Sequence, residues 1–283
     1  MAKGPLLVLG ATGGQGGAVL GALLAHGAQV RALVRDPARG SAQRLADRGV
    51  DVVAGSLDDV ESLTAAMDGM AGVFALTTPF EAGVDAEVEQ GRAIVTAAQQ
   101  ARVPHLLFSS VAGANQHSGV PHFDSKAVIE TELSAARVPY TILGPTYFFD
   151  NASAGADRIR AGVLDLPLPS DRPLQQLARP DLGAFAAEVL SDPDRYVGRR
   201  IELASDAPTP AQMAEALAEA LGRPVRHEPV PLATIGNRDM HAMWRFLNGP
   251  GYQVDIPALH AAHPEVGWTS FADWANRTFG ASS

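Results

Sequence analysis

The chain has no cysteine. That absence excludes a disulfide framework, a thiolate zinc site, an iron–sulfur cluster and a cysteine nucleophile, and it is compatible with a reducing cytoplasm. Basic residues are in deficit too: 22 Lys and Arg stand against 31 Asp and Glu, a net charge of -9 with a pI near 5.3. Such a surface does not attract nucleic acid or anionic membrane broadly, and an anionic ligand would need a local basic patch. Charged residues reach only 19% against 46% hydrophobic, which excludes a disordered, charge-rich chain. Long apolar runs are missing as well. The least polar stretch, 13–25, is rich in Gly and Ala and contains Gln15, short of the roughly 20 apolar residues that span a bilayer. Met1-Ala2-Lys3-Gly4-Pro5 passes straight into Leu6-Leu7-Val8-Leu9, without the long apolar region of a signal peptide. A cytoplasmic location is expected. His105, His117, His227, His241, His260 and His263 show no metal-ligand spacing with clustered carboxylates, so no metal is expected. Ser110 stands outside a Gly-x-Ser-x-Gly elbow, which argues against a hydrolase.

What is present is a regular alternation. The 283 residues fit one large or two unequal domains. Short apolar runs at 6–9, 29–34, 51–54, 72–76, 105–109 and 140–143 read as strands buried on both faces. Between them, 18–25, 57–67, 86–101 and 125–136 carry apolar residues at helical spacing. This is the form of an α/β fold, a Rossmann-type doubly wound parallel sheet over residues 1–150. Beyond Gly144 the pattern loosens into a Pro-, Gly- and Asp-bearing stretch at 162–171, and residues 151–283 are expected to form a smaller α+β lobe, its segments interleaved with the sheet. There Thr209, Pro210 and Gln212 predict a capped helix ending at Gly222, and 200–204 and 225–230 read as short strands. Met240, Met243, Trp244, Phe246 and Tyr252 surround Asn248-Gly249-Pro250-Gly251, either a flexible apolar lid or ordinary packing of the lobe.

The most specific motif is Gly10-Ala11-Thr12-Gly13-Gly14-Gln15-Gly16, between the first strand and the first helix. Glycine at 10, 13 and 16 permits a tight turn, close approach of backbone to a pyrophosphate, and close packing of helix on strand. The helix N-terminus then offers unpaired N–H groups to the anion. The second strand ends in Leu33-Val34-Arg35-Asp36-Pro37, where dinucleotide-binding folds read the adenosine ribose. A guanidinium at Arg35 suits a 2′-phosphate, with Arg39 a second partner, whereas Asp36 would suit ribose hydroxyls if the register shifted.

The glycine run, Val34-Arg35-Asp36-Pro37 and His122-Phe123-Asp124-Ser125-Lys126 together resemble the NmrA-like family of atypical short-chain dehydrogenases/reductases. The likeness extends through Gly144-Pro145-Thr146-Tyr147-Phe148, Pro180-Asp181-Leu182-Gly183 and the 201–222 segment. It implies a domain that binds NADP(H) and a small C-terminal lobe, with a small-molecule substrate between them. It assigns Gly10, Thr12, Gly13, Gly14, Gln15 and Gly16 to the pyrophosphate, Arg35 and Arg39 to the 2′-phosphate, and Ser56 and Leu57 to the adenine. Thr77, Thr78 and Pro79 would flank the nicotinamide ribose, with Ser109, Lys126, Tyr147 and Phe148 beyond. Two positions depart from the family: Ser56 stands where Asp is frequent, and His122 replaces the tyrosine of Tyr-x-x-x-Lys. Lys126 and His122, four apart, are the candidate catalytic pair, lysine holding ribose hydroxyls and imidazole delivering a proton. The expected activity is NADPH-dependent reduction of a small apolar electrophile such as a quinone, enone, carbonyl or imine. The missing tyrosine keeps open a second reading, a non-catalytic NADP(H)-binding redox sensor acting through a protein partner.

Overall fold

The apolar runs become strands because helices cover both faces of the sheet, so most positions along them are buried, and the run at 51–54 is exposed at both its ends. The computed structural model describes residues 4–280. Strand and helix alternate through β1 (Leu6–Val8), α1 (Gly14–Ala25), β2 (Val30–Val34), α2 (Gly40–Ala46), β3 (Asp51–Ala54), α3 (Val60–Met67), β4 (Gly72–Leu76), α4 (Val84–Gln100), β5 (Leu106–Ser109), α5 (Pro121–Ala135) and β6 (Tyr140–Pro145). The chain continues through β7 (Tyr147–Phe148), α6 (Ala156–Arg160), β8 (Val163–Leu166), β9 (Gln176–Leu177), α7 (Arg179–Ser191), β10 (Arg200–Leu203), α8 (Pro210–Leu221), β11 (Arg226–Pro229), α9 (Arg238–Asn248), α10 (Ile256–Ala262) and α11 (Phe271–Phe279). The main sheet has seven strands in the order β10-β6-β5-β4-β1-β2-β3, every neighbouring pair parallel. It is a Rossmann-type α/β fold, as the alternation predicts.

One strand sits elsewhere than expected. Residues 200–204 read as a strand of the small lobe, yet β10 lies on the edge of the main sheet beside β6. The partner of so short a strand is fixed by a long-range pairing that no local pattern records. The helix before it returns with it. Leu182, Phe185, Ala186 and Val189 of α7 share a buried cluster with Val19, Leu20 and Leu23 of α1. The two helices touch at backbone distance, since a Cβ on Gly183 would stand 2.5 Å from the Ala18 carbonyl oxygen.

The opposite face is sealed by α3, α4 and α5 over Leu7, Leu9, Val73 and Phe108. Helix α5 serves two cores at once. Ile129 and Leu133 pack under the sheet, while Phe123 joins Phe149, Trp244 and Phe246 in the core of the small lobe. That lobe holds the parallel pairs β11-β8 and β7-β9 and the capping box of Thr209 and Gln212 on α8. The 238–252 segment is a packed wall rather than a loose lid: Met243, Trp244, Phe246 and Leu247 of α9 are buried, and Tyr252 stacks on Phe123.

The α1–α7 contact leaves no room for a methyl group. Gly183→Ala should therefore push the helices apart and lower stability by roughly 1–3 kcal/mol, the usual cost of overpacking, as read in denaturant melts. Gly155, beside which a Cβ meets nothing within 4 Å, provides the tolerant control.

Candidate functional site

Strand order reverses at β1, which has β2 on one side and β4 on the other. In open α/β sheets that reversal leaves a crevice beyond the carboxyl ends of the strands. The β1–α1 turn lies there. Gly10 adopts φ +66°, and the Gly13 amide donates to its carbonyl at 2.9 Å. A Cβ on Gly16 would fall 2.2 Å from the Gly10 oxygen, so Gly16 lets helix and strand meet. Gly13 is different. Its backbone is extended, it caps α1 without any side-chain bond, and a Cβ there would approach only the Gly10 oxygen, at 3.3 Å. The fold itself places little demand on Gly13, while the first turn of α1 has no acidic residue to engage its amides. An uncapped helix start beside a glycine whose side-chain position meets only one backbone oxygen, at 3.3 Å, fits a pyrophosphate.

A cavity of about 690 Å³ opens between this turn and the small lobe, within the range of small-molecule sites. Among the residues expected at the site, Gly14, Gln15, Thr77, Thr78, Pro79, His122, Lys126, Tyr147 and Phe148 line it. Ser109 stands behind Gln15, its hydroxyl donating to Gln15 Oε1 at 2.7 Å. Gly10, Thr12, Gly13, Gly16, Arg35, Arg39, Ser56 and Leu57 lie outside the cavity lining, on the turn, the first turn of α1 and the loops after β2 and β3. Arg35 is exposed and pairs with Glu81 at 3.0 Å. Arg39 is the N-cap residue of α2. Asp36 accepts from the Ala38 amide at 2.9 Å, so its carboxylate closes a local turn. The Ser56 hydroxyl donates to Asp58 at 3.2 Å, which brings a carboxylate back beside the position where the family often has one.

Helix α5 starts at Pro121, whose fixed φ suits the first helical position. His122 and Lys126 consequently fall one turn apart on a common face. His122 Nδ1 lies 2.7 Å from Asp239 Oδ1, and this carboxylate, from α9, also accepts from the His122 amide at 3.3 Å. The ring is thereby oriented between Phe80 and Phe123. The Lys126 ammonium donates to the Thr77 carbonyl at 2.7 Å and the Thr77 hydroxyl at 2.9 Å, and it stands 3.0 Å from Glu87. Burial pushes its pKa down, and Glu87 opposes that shift. Burial also raises the Tyr147 phenol to about 12, keeping it a proton-bearing hydroxyl.

Three contributors, Arg179, Asp150 and Asp239, carry no sequence signal. Arg179 opens α7, yet its guanidinium lies so close to Gly14 that a Cβ there would stand 2.6 Å from Cζ; it also lines the cavity. Its carboxylate partner, Asp150, is 3.6 Å away. Asp239 reaches His122 across 117 residues of sequence. Met240, Met243, Trp244 and Tyr252 form the apolar wall. These four belong to the aromatic and methionine cluster that the sequence shows around 240–252.

The model of the NmrA-like family matches residues 2–274, and the chain belongs to that family. It is 32% identical over 228 residues to an NAD(P)H azoreductase of Xenophilus azovorans, an alignment covering 80% of this chain and 77% of that one. The structure of the NADPH-dependent quinone oxidoreductase QOR2 of Escherichia coli, complexed with NADPH, superposes with TM-score 0.82 at 26% identity, covering 97% and 100% of the two chains. Triphenylmethane reductase of Citrobacter sp., complexed with NADP(H), shares the fold at TM-score 0.81 and 24% identity over 96% and 99%.

The two glycines should respond differently to substitution. Gly13→Val is expected to melt within about 3 °C of wild type while losing NADPH binding, whereas Gly16→Ala should lower the melting temperature because its Cβ has no space. Calorimetric titration paired with thermal melts checks both, and a Gly13→Val variant that binds NADPH normally would make the run a structural turn only.

Proposed function

We propose that the protein is an NADPH-dependent oxidoreductase that reduces a small, flat, apolar electrophile. The carrying observation is the juxtaposition, at the switch point of the sheet, of an uncapped helix start behind a glycine turn and a cavity walled by aromatic and methionine side chains. The azoreductase and the NADPH-bound quinone oxidoreductase among its relatives support this class of reaction. Gly10 to Gly16 hold the pyrophosphate, Arg35 and Arg39 the 2′-phosphate, Ser56 and Leu57 the adenine, and Thr77, Thr78, Pro79 and Lys126 the nicotinamide ribose. When bound, NADPH supplies the hydride.

The chain's own residues do the rest. Trp244, Tyr252, Met240 and Phe80 exclude water and favour a planar acceptor such as a quinone or an azo or imine bond. His122, steadied by Asp239, is the proton donor in place of the absent tyrosine. Lys126 anchors a ribose hydroxyl by sharing one of its bonds to Thr77. This reading gives the protein a small-molecule substrate rather than nucleic acid or membrane, and a cytoplasmic setting. No helix among the described residues is long and apolar enough to cross a membrane.

Arg35 has to exchange Glu81 for the phosphate. An exposed ion pair is worth at most about 1 kcal/mol, and each charge-assisted bond to phosphate about 1.5–3 kcal/mol, so the phosphate wins. Arg35→Ala should weaken NADPH binding at least about tenfold and leave NADH nearly unchanged, as measured by calorimetry. Equal losses for both cofactors would remove Arg35 from the 2′-phosphate site. His122→Phe should lower the rate of quinone or azo reduction by about a hundredfold with little change in NADPH affinity. An unchanged rate and pH profile in that variant would make water the proton source.

A further inference from the structure

Glu87 is fully buried, at 0% exposure, in the first turn of α4. Both of its carboxylate oxygens are engaged. Oε1 accepts from the Thr77 hydroxyl at 3.0 Å and faces the Lys126 ammonium at 3.0 Å, and Oε2 accepts from the Ser125 hydroxyl at 2.5 Å. Lys126 is buried in turn, 7% exposed. Two of its N–H donors bond the Thr77 carbonyl and the Thr77 hydroxyl, its ammonium is ion-paired with Glu87, and the Phe108 ring lies 5.3 Å from the ammonium. Two opposite charges from α4 and α5 are thus enclosed with the hydroxyl of Thr77, the residue after β4, between them.

A buried ion pair is a weak source of stability, because apolar residues of similar volume often serve as well or better. What this pair accomplishes is to keep a cation on the wall of a cavity that burial would otherwise neutralise. The other charged groups near Lys126 do not replace Glu87 in this. Glu130, one turn along α5, is bound by Arg200 at 2.8 Å and by Ser110. His122, one turn back, is bound by Asp239.

We infer that Glu87 is a positioning residue: its buried carboxylate holds the Lys126 ammonium charged and aimed into the cavity. The inference rests on the proposed function only for the use to which that charge is put. Its structural part makes a prediction of its own. In Glu87→Gln the side chain keeps its size but loses its charge, so Lys126 should release its proton at lower pH than in wild type.

The direct test is the pH titration of the Lys126 side-chain carbon-13 resonance in wild type and Glu87→Gln, without cofactor, alongside NADPH affinity across the same range. We expect the Lys126 midpoint to fall by more than about one pH unit in Glu87→Gln. A lowered midpoint means the charge persists only at lower pH, so NADPH affinity in the variant should drop severalfold as pH rises through that midpoint, where wild type still holds its proton. Glu87→Asp, which restores the charge, should bring the midpoint back toward wild type. Coincident midpoints in wild type and Glu87→Gln would overturn the inference. If the midpoint moves but affinity stays flat with pH, and Lys126→Met binds NADPH normally, the role of Glu87 stands and the assignment of Lys126 to the cofactor fails. Should Glu87→Gln not fold, the double variant with Lys126→Met must recover the lost stability, because an unpaired buried charge is then the fault; a double variant as unstable as the single one would overturn the inference.

Discussion

The absence of a side chain at Gly16 is the constraint on which the molecule is built. With a Cβ, the position would stand 2.2 Å from the Gly10 oxygen and 2.8 Å from the Leu9 oxygen, and α1 could not begin against the end of β1. The same helix receives α7 at Gly183, so two close backbone approaches fix α1 from both ends of its environment. Its amide-bearing start points into the crevice as a result.

Around this fixed start the chain brings together parts from distant segments. The segment after β4 contributes Thr77, α4 contributes Glu87, and α5 contributes His122 and Lys126. Helix α9 contributes Asp239 and Trp244, and α7 contributes Arg179. Helix α5 does most to join them, since Phe123 is anchored in the small lobe while Ile129 is anchored under the sheet. Any shift of one lobe against the other would therefore move Lys126 and His122 together. Polar groups are few and held from behind: Gln15 by Ser109, His122 by Asp239, Lys126 by Thr77 and Glu87. Such support keeps rotamers fixed before a ligand arrives.

The sequence made the sheet legible wherever burial on both faces leaves a continuous apolar run, as in Leu6-Leu7-Val8 and Gly72-Val73-Phe74-Ala75-Leu76. The glycine turn was legible because each glycine answers a steric need, although Gly10 and Gly16 are demanded by the fold more strongly than Gly13 is. His122 and Lys126 were legible as a pair because four residues make one helical turn. What stayed hidden depends on contacts between segments far apart. The alternation of Ile201 and Leu203 does not tell that β10 pairs with β6. Nothing around Arg179 tells that it reaches Gly14. Glu87 reads as one of several acids in an amphipathic helix, and only the fold reveals it as the partner of a buried lysine.

Hydride transfer within this cavity is the central claim, and a single-turnover experiment tests it most directly. The protein loaded with NADPH would be mixed with an excess of an apolar quinone or azo acceptor, and nicotinamide absorbance followed against protein-free and Gly13→Val controls. The account predicts oxidation of the bound NADPH at a rate that saturates with acceptor and disappears in the controls. Tight NADPH binding with no oxidation by any quinone, azo, enone or imine acceptor would contradict it.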